Sequence, residues 1–394
     1  MNILQVIPYF SPNRGGDVKV CHDLSKLLIG KGHKVTIATT DFEFDEEYAE
    51  SITKEGGTVV PFRCVSDTFL FLVSPGMKTW LRNNLAKYDL AHLHDFRSYQ
   101  NNITHRYSRI LSIPYVLQAH GSLAPIYAKR WLKKTYDLVW GHSLIEDASR
   151  LFALANAEAA QYVQMGASES DVAVVPNGIF FSDYESLPAR GLFRQEYGID
   201  KNDKLILYLG RIHHIKRVDR LIKSVSNMKE QMPNIKLAVV GPDHGSKTDL
   251  ERLARNLGVS DRILFAGPLF GDRKSEAYVD ADVYVLPSDF EAFPVTVLEA
   301  CACGTPSIVG RNCMIADLID GKAGFSVDLE TNELEERILR ILNDRKLAKT
   351  FGDNGRNLVR ERFDLIRLID TVENEYRHVV SDKTKVLGAD AVHE

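Results

Sequence analysis

Two glutamates and two cations carry most of the chemistry legible in this chain of 394 residues. Glu291 and Glu299 stand eight positions apart within Ser288 to Pro306, read SDFEAFPVTVLEACACGTP, and Arg211 and Lys216 lie in Gly210-Arg-Ile-His-His-Ile-Lys216-Arg217. A guanidinium binds phosphate bidentately and an ammonium acts as a compact point charge, a division of labour suited to a diphosphate. A charge-assisted hydrogen bond contributes about 1.5–3 kcal/mol, against about 0.3–1 kcal/mol for an exposed helix dipole, so the side chains should dominate anion binding.

Other polar clusters are weaker. His120 precedes Gly121, which permits close backbone approach, and so reads as a ligand contact. His92-Leu-His94-Asp95 places two imidazoles on one face of an extended strand, but no third or fourth ligand can be assigned, so no metal is expected. Asp280-Ala-Asp282 imitates a metal-binding Asp-x-Asp but straddles a helix end and a strand start, and carries the same expectation. Gly15-Gly16 could present backbone N–H groups to a bulky anion, although two adjacent glycines more often mark an ordinary turn. Lys129, Arg130, Lys133 and Lys134 alternate with Tyr127, Trp131 and Tyr136 up to Trp140; the default is a solvated helix face, with a membrane surface or a phosphate-bearing acceptor as the alternative.

The elements that must position these residues are alternating strands and helices. Ile3 to Pro8 reads as a buried strand before the Gly15-Gly16 loop and an apolar-faced helix; Val35 to Thr39, Thr58 to Phe62, Asp89 to His94, Ile113 to Gln118, Leu151 to Ala155 and Val172 to Val175 continue the series. Lys204 to Leu209, Lys236 to Gly241, Arg262 to Gly267, Asp282 to Leu286, Ser307 to Gly310 and Gly324 to Val327 repeat it. This is α/β with parallel, doubly wound sheets, whose ligands bind beyond the carboxyl ends of the strands. Pro294 suits the first helical position before Val295 to Ala300, with Gly304-Thr305-Pro306 as the stop, so Glu291 falls in the loop and Glu299 on the helix. Ala266 to Phe270, including Leu269, ends a strand where backbone could meet a nucleobase.

Length predicts about two domains: residues 1–182, a polar linker 183–203, 204–364, a long amphipathic helix 365–380 and a frayed tail 381–394. Hydrophobic residues at 44% and a net charge of −4 fit a globular protein with no global pull toward nucleic acid. The five cysteines lack a Cys-x-x-Cys pair, which points to neither a disulfide framework nor a zinc ribbon. With no basic leader and no apolar run of about 18 residues, a cytoplasmic location is expected. The fingerprint G-x-G-x-x-G is absent after the first strand, which removes the main support for a nicotinamide enzyme.

Taken together, Gly15-Gly16, His94-Asp95, His120-Gly121, Pro176-Asn177-Gly178, Gly210-Arg211 with Lys216, and Glu291 with Glu299 resemble glycosyltransferase family 4, a retaining family of the GT-B fold. The resemblance covers nearly the whole chain. It implies two Rossmann-like domains facing across a cleft, the second binding a nucleotide-diphosphate sugar, with the last helix crossing back to the first. By position, Arg211 and Lys216 hold the diphosphate, Glu299 the ribose hydroxyls and Glu291, followed by Ala292, Phe293 and Pro294, the donor sugar. Gly16 contacts phosphate from the first domain; His120 touches the sugar near its reacting carbon, with His94, Asp95 and Asn177 on the acceptor or sugar side. No cofactor and no catalytic metal are implied. The implied partners are a nucleotide sugar, a hydroxyl acceptor and the cytoplasmic face of a membrane. Three places depart from the family pattern: Ala292 and Arg217 stand where glycines are common, and the pair Phe180-Phe181 where an aspartate is usual. A phosphorylase on the same fold and a noncatalytic nucleotide-sugar or glycan-binding module are the alternatives.

Overall fold

The computed structural model describes residues 1–67, 71–123 and 130–390; residue 130 and residues 383–390 are described by backbone alone. The chain divides into two compact units, Met1–Asn177 with the chain from Ile366 onward, and Gly178–Leu365.

The first unit is built on β1 (Asn2–Val6), β2 (Lys34–Thr40), β3 (Thr58–Phe62), β4 (Leu90–His94), β5 (Tyr115–Gln118), β6 (Arg150–Ala153) and β7 (Val172–Val174). They form one sheet in the order β3-β2-β1-β4-β5-β6-β7, and every pairing is parallel. The expected strands are therefore all present, each within about two residues of its sequence-read limits, the scatter expected at element ends. The helix Leu365–Asp390 belongs to this unit from Ile366 onward. Its Ile369, Val372, Tyr376 and Val379 pack on Ile3, Val116 and Phe152, and each such aliphatic side chain stabilises by about 1.5–3 kcal/mol when fully buried. The helix runs past the sequence-read end at Val380 to Asp390.

The second unit carries β8 (Lys204–Leu209), β9 (Ile235–Val240), β10 (Ile263–Gly267), β11 (Val283–Leu286), β12 (Ser307–Gly310) and β13 (Gly324–Val327). Their order is β10-β9-β8-β11-β12-β13, again all parallel. The segment read as a linker is part of this unit. It holds the short helix Leu192–Glu196, with Phe193 and Arg194 buried. Arg194 donates to the carbonyls of Asp200 and Asp203 and pairs with Asp282 at 3.0 Å. Asp280 accepts from the Arg194 backbone N–H at 2.9 Å. The Asp280-Ala-Asp282 carboxylates therefore anchor the start of the unit, a role that only the fold reveals.

In both sheets the strand order reverses between two central strands, β1 and β4 in the first unit, β8 and β11 in the second. Side chains leaving the carboxyl ends at such a reversal line an open crevice. Gly15-Gly16, His94-Asp95, Arg211 with Lys216, and Glu291 follow those four strands, whereas His120 follows β5, Asn177 follows β7 and Leu269 follows β10.

Candidate functional site

In the second unit the site grows from the loops after β8 and β11. The turn His214–Lys216 places Lys216 so that its Nζ donates to the Glu291 carboxylate. The two loops are tied together beside this pair. The Asp289 N–H donates to the Ile215 carbonyl at 3.1 Å, and Arg217 Nη1 reaches Asp289 Oδ1 at 2.6 Å. Glu291 is fixed in turn by Met314, whose N–H donates to its carbonyl at 2.9 Å. Close backbone packing allows this approach: a Cβ on Gly310 would lie 2.6 Å from the Ser288 carbonyl, and one on Gly241 1.9 Å from the Gly210 carbonyl. Arg211 is exposed and makes no side-chain ion pair among the described residues, leaving its guanidinium open to an anion. Its carbonyl accepts the Tyr208 hydroxyl at 2.7 Å.

Glu299 sits on the helix Val295–Ala302 and is 2% exposed. It is held by Lys274 Nζ at 2.6 Å and the Tyr278 hydroxyl at 3.0 Å, both from the helix Asp272–Asp280. Burial, then the Glu299 charge, pushes the Tyr278 phenol well up, so it stays a donor. Tyr284 lies within the field of both glutamates and donates to Thr296 Oγ1 at 2.8 Å. Pro294 caps the helix with extended backbone instead of opening it, and Val295 is the first helical residue. Phe293 is buried edge-on against Phe363, with ring centroids 5.4 Å apart. Ala292 is half-buried, and Leu269 is buried in the turn after β10 beside the exposed Phe270.

In the first unit the loop after β1 caps the helix Gly16–Gly30 with Gly15, where a Cβ would meet Asp17 Oδ1 at 2.6 Å. The ends of β4 and β5 bring His94 and His120 together, Nδ1 to Nε2 at 2.9 Å with nearly parallel rings. His94 Nε2 meets Gln5 Oε1 at 2.8 Å, and His92 Nδ1 meets the Tyr376 hydroxyl at 2.6 Å. Burial drives these imidazoles toward neutrality, His92 down to about 3 and His120 to about 4. The same effect, with Asp17 nearby, pushes the Asp95 carboxyl well above the usual range. The His120 turn is fixed by Glu158, which is fully buried and accepts from the N–H groups of Gly121 at 2.5 Å and Leu154 at 2.7 Å. Asn177 is buried at the end of the unit.

Among the described residues five non-glycine positions have left-handed backbone: Glu43, Asp95, Ser112, His120 and Arg217. Three of them border the candidate sites. Strain of this kind persists where surrounding structure over-determines it, and it gathers at functional sites.

The description Glycosyltransferase Family 4 matches residues 14–181, and Glycosyl transferases group 1 matches residues 190–358. The chain belongs to glycosyltransferase family 4. An uncharacterized glycosyltransferase of Methanocaldococcus jannaschii is 26% identical over 96% of this chain and 98% of its own. D-inositol 3-phosphate glycosyltransferase 2 of Catenulispora acidiphila is 32% identical over 56% of this chain, which spans about half, 54%, of that relative. The solved structure of Anabaena HepE in complex with UDP and glucose shares the fold, with a TM-score of 0.79 at 20% identity over 95% of this chain and 98% of that one. The chain is thus a glycosyltransferase of the GT-B fold.

Within this glycosyltransferase, sequence reading had not singled out Lys274, Tyr278, Gln5 or Glu158. Lys274 and Tyr278 are four positions apart, which puts them on one helix face, but their partner lies on another helix. Gln5 and Glu158 carried a fainter signal, a polar residue inside an apolar strand and an acid in the first turn of a helix.

Proposed function

We propose that this glycosyltransferase moves a sugar from a nucleotide diphosphate to a hydroxyl acceptor with retained configuration and without a catalytic metal. The single observation that carries the reading is Lys216 held against Glu291 beside the open Arg211 guanidinium. Breaking the glycosidic bond of the donor moves negative charge onto the diphosphate. Fixed cations compensate charge where it develops, without reorganisation at the moment of reaction. Arg211 and Lys216 fill that role; Glu291 orients the sugar, and Glu299, already set by Lys274 and Tyr278, accepts from ribose hydroxyls. Among the described residues Glu291 is engaged by Lys216 and Glu299 by Lys274 and Tyr278, so front-face attack by the acceptor is favoured over a carboxylate nucleophile of the glycosidase kind. The Anabaena neighbour's complex with UDP and glucose supports a donor of this class.

The test is turnover of a panel of nucleotide sugars, with anomeric configuration read by NMR and metal removed by chelator. Product with retained configuration in chelator is expected. Inversion, or dependence on added divalent metal, overturns those parts of the reading, and preferential release of sugar 1-phosphate with free phosphate favours a phosphorylase.

A specific surface favours a lipid-linked acceptor used in cell-surface glycan or glycolipid synthesis at the inner membrane face. Around the helix Arg130–Tyr136 and the π-helical turn Asp137–Gly141, Trp131 is 69% exposed, Leu138 79%, Val139 54% and Trp140 47%. Tyr127 and Lys129 of the sequence-read patch lie outside the described residues. Exposed tryptophans beside Lys133 and Lys134 suit the boundary of an anionic bilayer. No described helix is long and apolar enough to cross a membrane, so docking would be peripheral. Cosedimentation with anionic vesicles should be lost in Trp131→Ala/Leu138→Ser; unchanged cosedimentation removes the lipid reading.

A further inference from the structure

The registers of the first sheet place Gln5 of β1 opposite His92 of β4, and His94 of β4 opposite Gln118 of β5. Alternation along a strand puts Gln5, His92 and His94 on one face. All three are fully buried. A buried glutamine flanked by apolar Leu4 and Val6 is costly unless its amide is hydrogen-bonded. Here its Oε1 is, to an imidazole that contacts the candidate sugar-site residue His120, while its Nε2 is buried with no hydrogen-bond partner among the described residues.

The direction of the chain follows from the inventory of donors and acceptors. An amide oxygen only accepts, so Gln5 Oε1 requires the proton of His94 on Nε2. A neutral imidazole carries one N–H. His94 Nδ1 therefore accepts, and the proton shared with His120 belongs to His120 Nε2. His120 Nδ1 is left bare, enclosed and without a hydrogen-bond partner among the described residues. Were the Gln5 amide turned over, each donor would become an acceptor and His120 would present an N–H instead. One amide thus sets whether His120 Nδ1 is an acceptor or a donor: a bare nitrogen takes a hydroxyl proton from any group brought against it, whereas an N–H would donate to a phosphate oxygen.

We propose that Gln5 is a positioning residue of the transfer site, acting through His94 to hold His120 in the tautomer protonated on Nε2 and bare on Nδ1. The burial that keeps His92 and His120 neutral supports this, since an imidazolium would donate from both nitrogens. The role assigned to His120 rests on the transferase reading above; the tautomer does not.

Long-range 1H–15N spectra of the full chain, with His120 assigned through His120→Gln, test the tautomer without any substrate. The expected result is a protonated Nε2 and a bare Nδ1 on His120. A protonated Nδ1 overturns the proposal. Gln5→Met removes the acceptor at similar volume, and Gln5→Glu keeps an acceptor facing His94. The methionine variant should show mixed tautomers at His120 and lose about tenfold or more in kcat with a smaller change in donor KM, and the glutamate variant should restore the wild-type tautomer. Wild-type tautomer in a folded Gln5→Met protein, or mixed tautomers with unchanged kcat, overturns the positioning role. If the spectra come out as expected and no nucleotide sugar is turned over, the relay stands and the donor reading fails.

Discussion

At the switch point of the second unit the key side chains are charged and paired, Lys216 with Glu291 and Lys274 with Glu299. At that of the first unit, Gln5, His92, His94 and His120 form an array of neutral amide and imidazole groups. Both sit where a parallel sheet reverses its strand order, so the same fold rule places two chemically unlike sites. The difference follows from burial. Lys216 and Glu291 keep 16% and 14% of their side chains in contact with water, which limits the desolvation cost of a charge that must meet an arriving anion. His92 and His94 are fully buried, where a net charge would be expensive and unpaired. The second site is suited to charge, the first to hydroxyls.

The sharpest way to break that contrast is to remove the charge. Lys216→Ala should lower kcat by about 10²–10³-fold, the usual loss when one fixed donor to a developing anion is deleted, and leave the fold intact by circular dichroism. Near-normal turnover would show that Lys216 serves only to hold Glu291. Second in size is Glu299→Ala, which strips the buried Tyr278 hydroxyl of its acceptor while Lys274, a quarter exposed, can turn to water. An orphaned buried hydroxyl costs about 1–3 kcal/mol, to be read by urea unfolding. A loss of nucleotide-induced thermal stabilisation in the same variant would separate ligand contact from scaffold.

The neutral site predicts an acid weakness. His92 and His120 have folded values near 3 and 4, below the ordinary 6.5. Above pH 6.5 both states are neutral and the full stability is present. As pH falls through 6.5 the unfolded imidazoles take up protons that the folded ones refuse, so stability drops, by about 1.4 kcal/mol per pH unit for each group until its folded value is reached. Unfolding free energies measured from pH 7 to pH 5 should fall with this sign, and His92→Phe should flatten the slope. A level profile would mean that the imidazoles titrate in the folded chain as they do in the unfolded one.

How much of this could be read beforehand differs between the two sites for a physical reason. The strands and the loop placement of Glu291, Arg211 and Lys216 were legible because apolar runs, Gly and Pro act locally along the chain. Pairings across the fold were not: Lys274 meets Glu299 from 25 positions away and Gln5 meets His94 from 89. The stretch 183–203 looked like a linker because it is polar, yet Arg194 uses that polarity to bind carbonyls inside the second unit.

The smallest predicted effect concerns the strained positions, and it sharpens the comparison most finely. His120 and Arg217 both hold left-handed backbone, with φ of 51° at each, a conformation that costs an ordinary residue about 1–2 kcal/mol and glycine little. At His120 the side chain is the functional group, so His120→Gly gains backbone ease but forfeits the imidazole. At Arg217 the side chain ties loops together, to Asp289 at 2.6 Å and to Asp219 and Glu330 at 3.4 Å each. Those pairs are partly exposed and individually worth about 0.2–1 kcal/mol. Arg217→Gly therefore trades a relieved strain for lost pairs of similar size. Its unfolding free energy should lie within about 1 kcal/mol of the parent and its kcat within a few-fold. The backbone N–H from Asp289 to Ile215 remains in that variant to hold the two loops together. A collapse of kcat on the scale of Lys216→Ala would instead make Arg217 a third cation of the charged site.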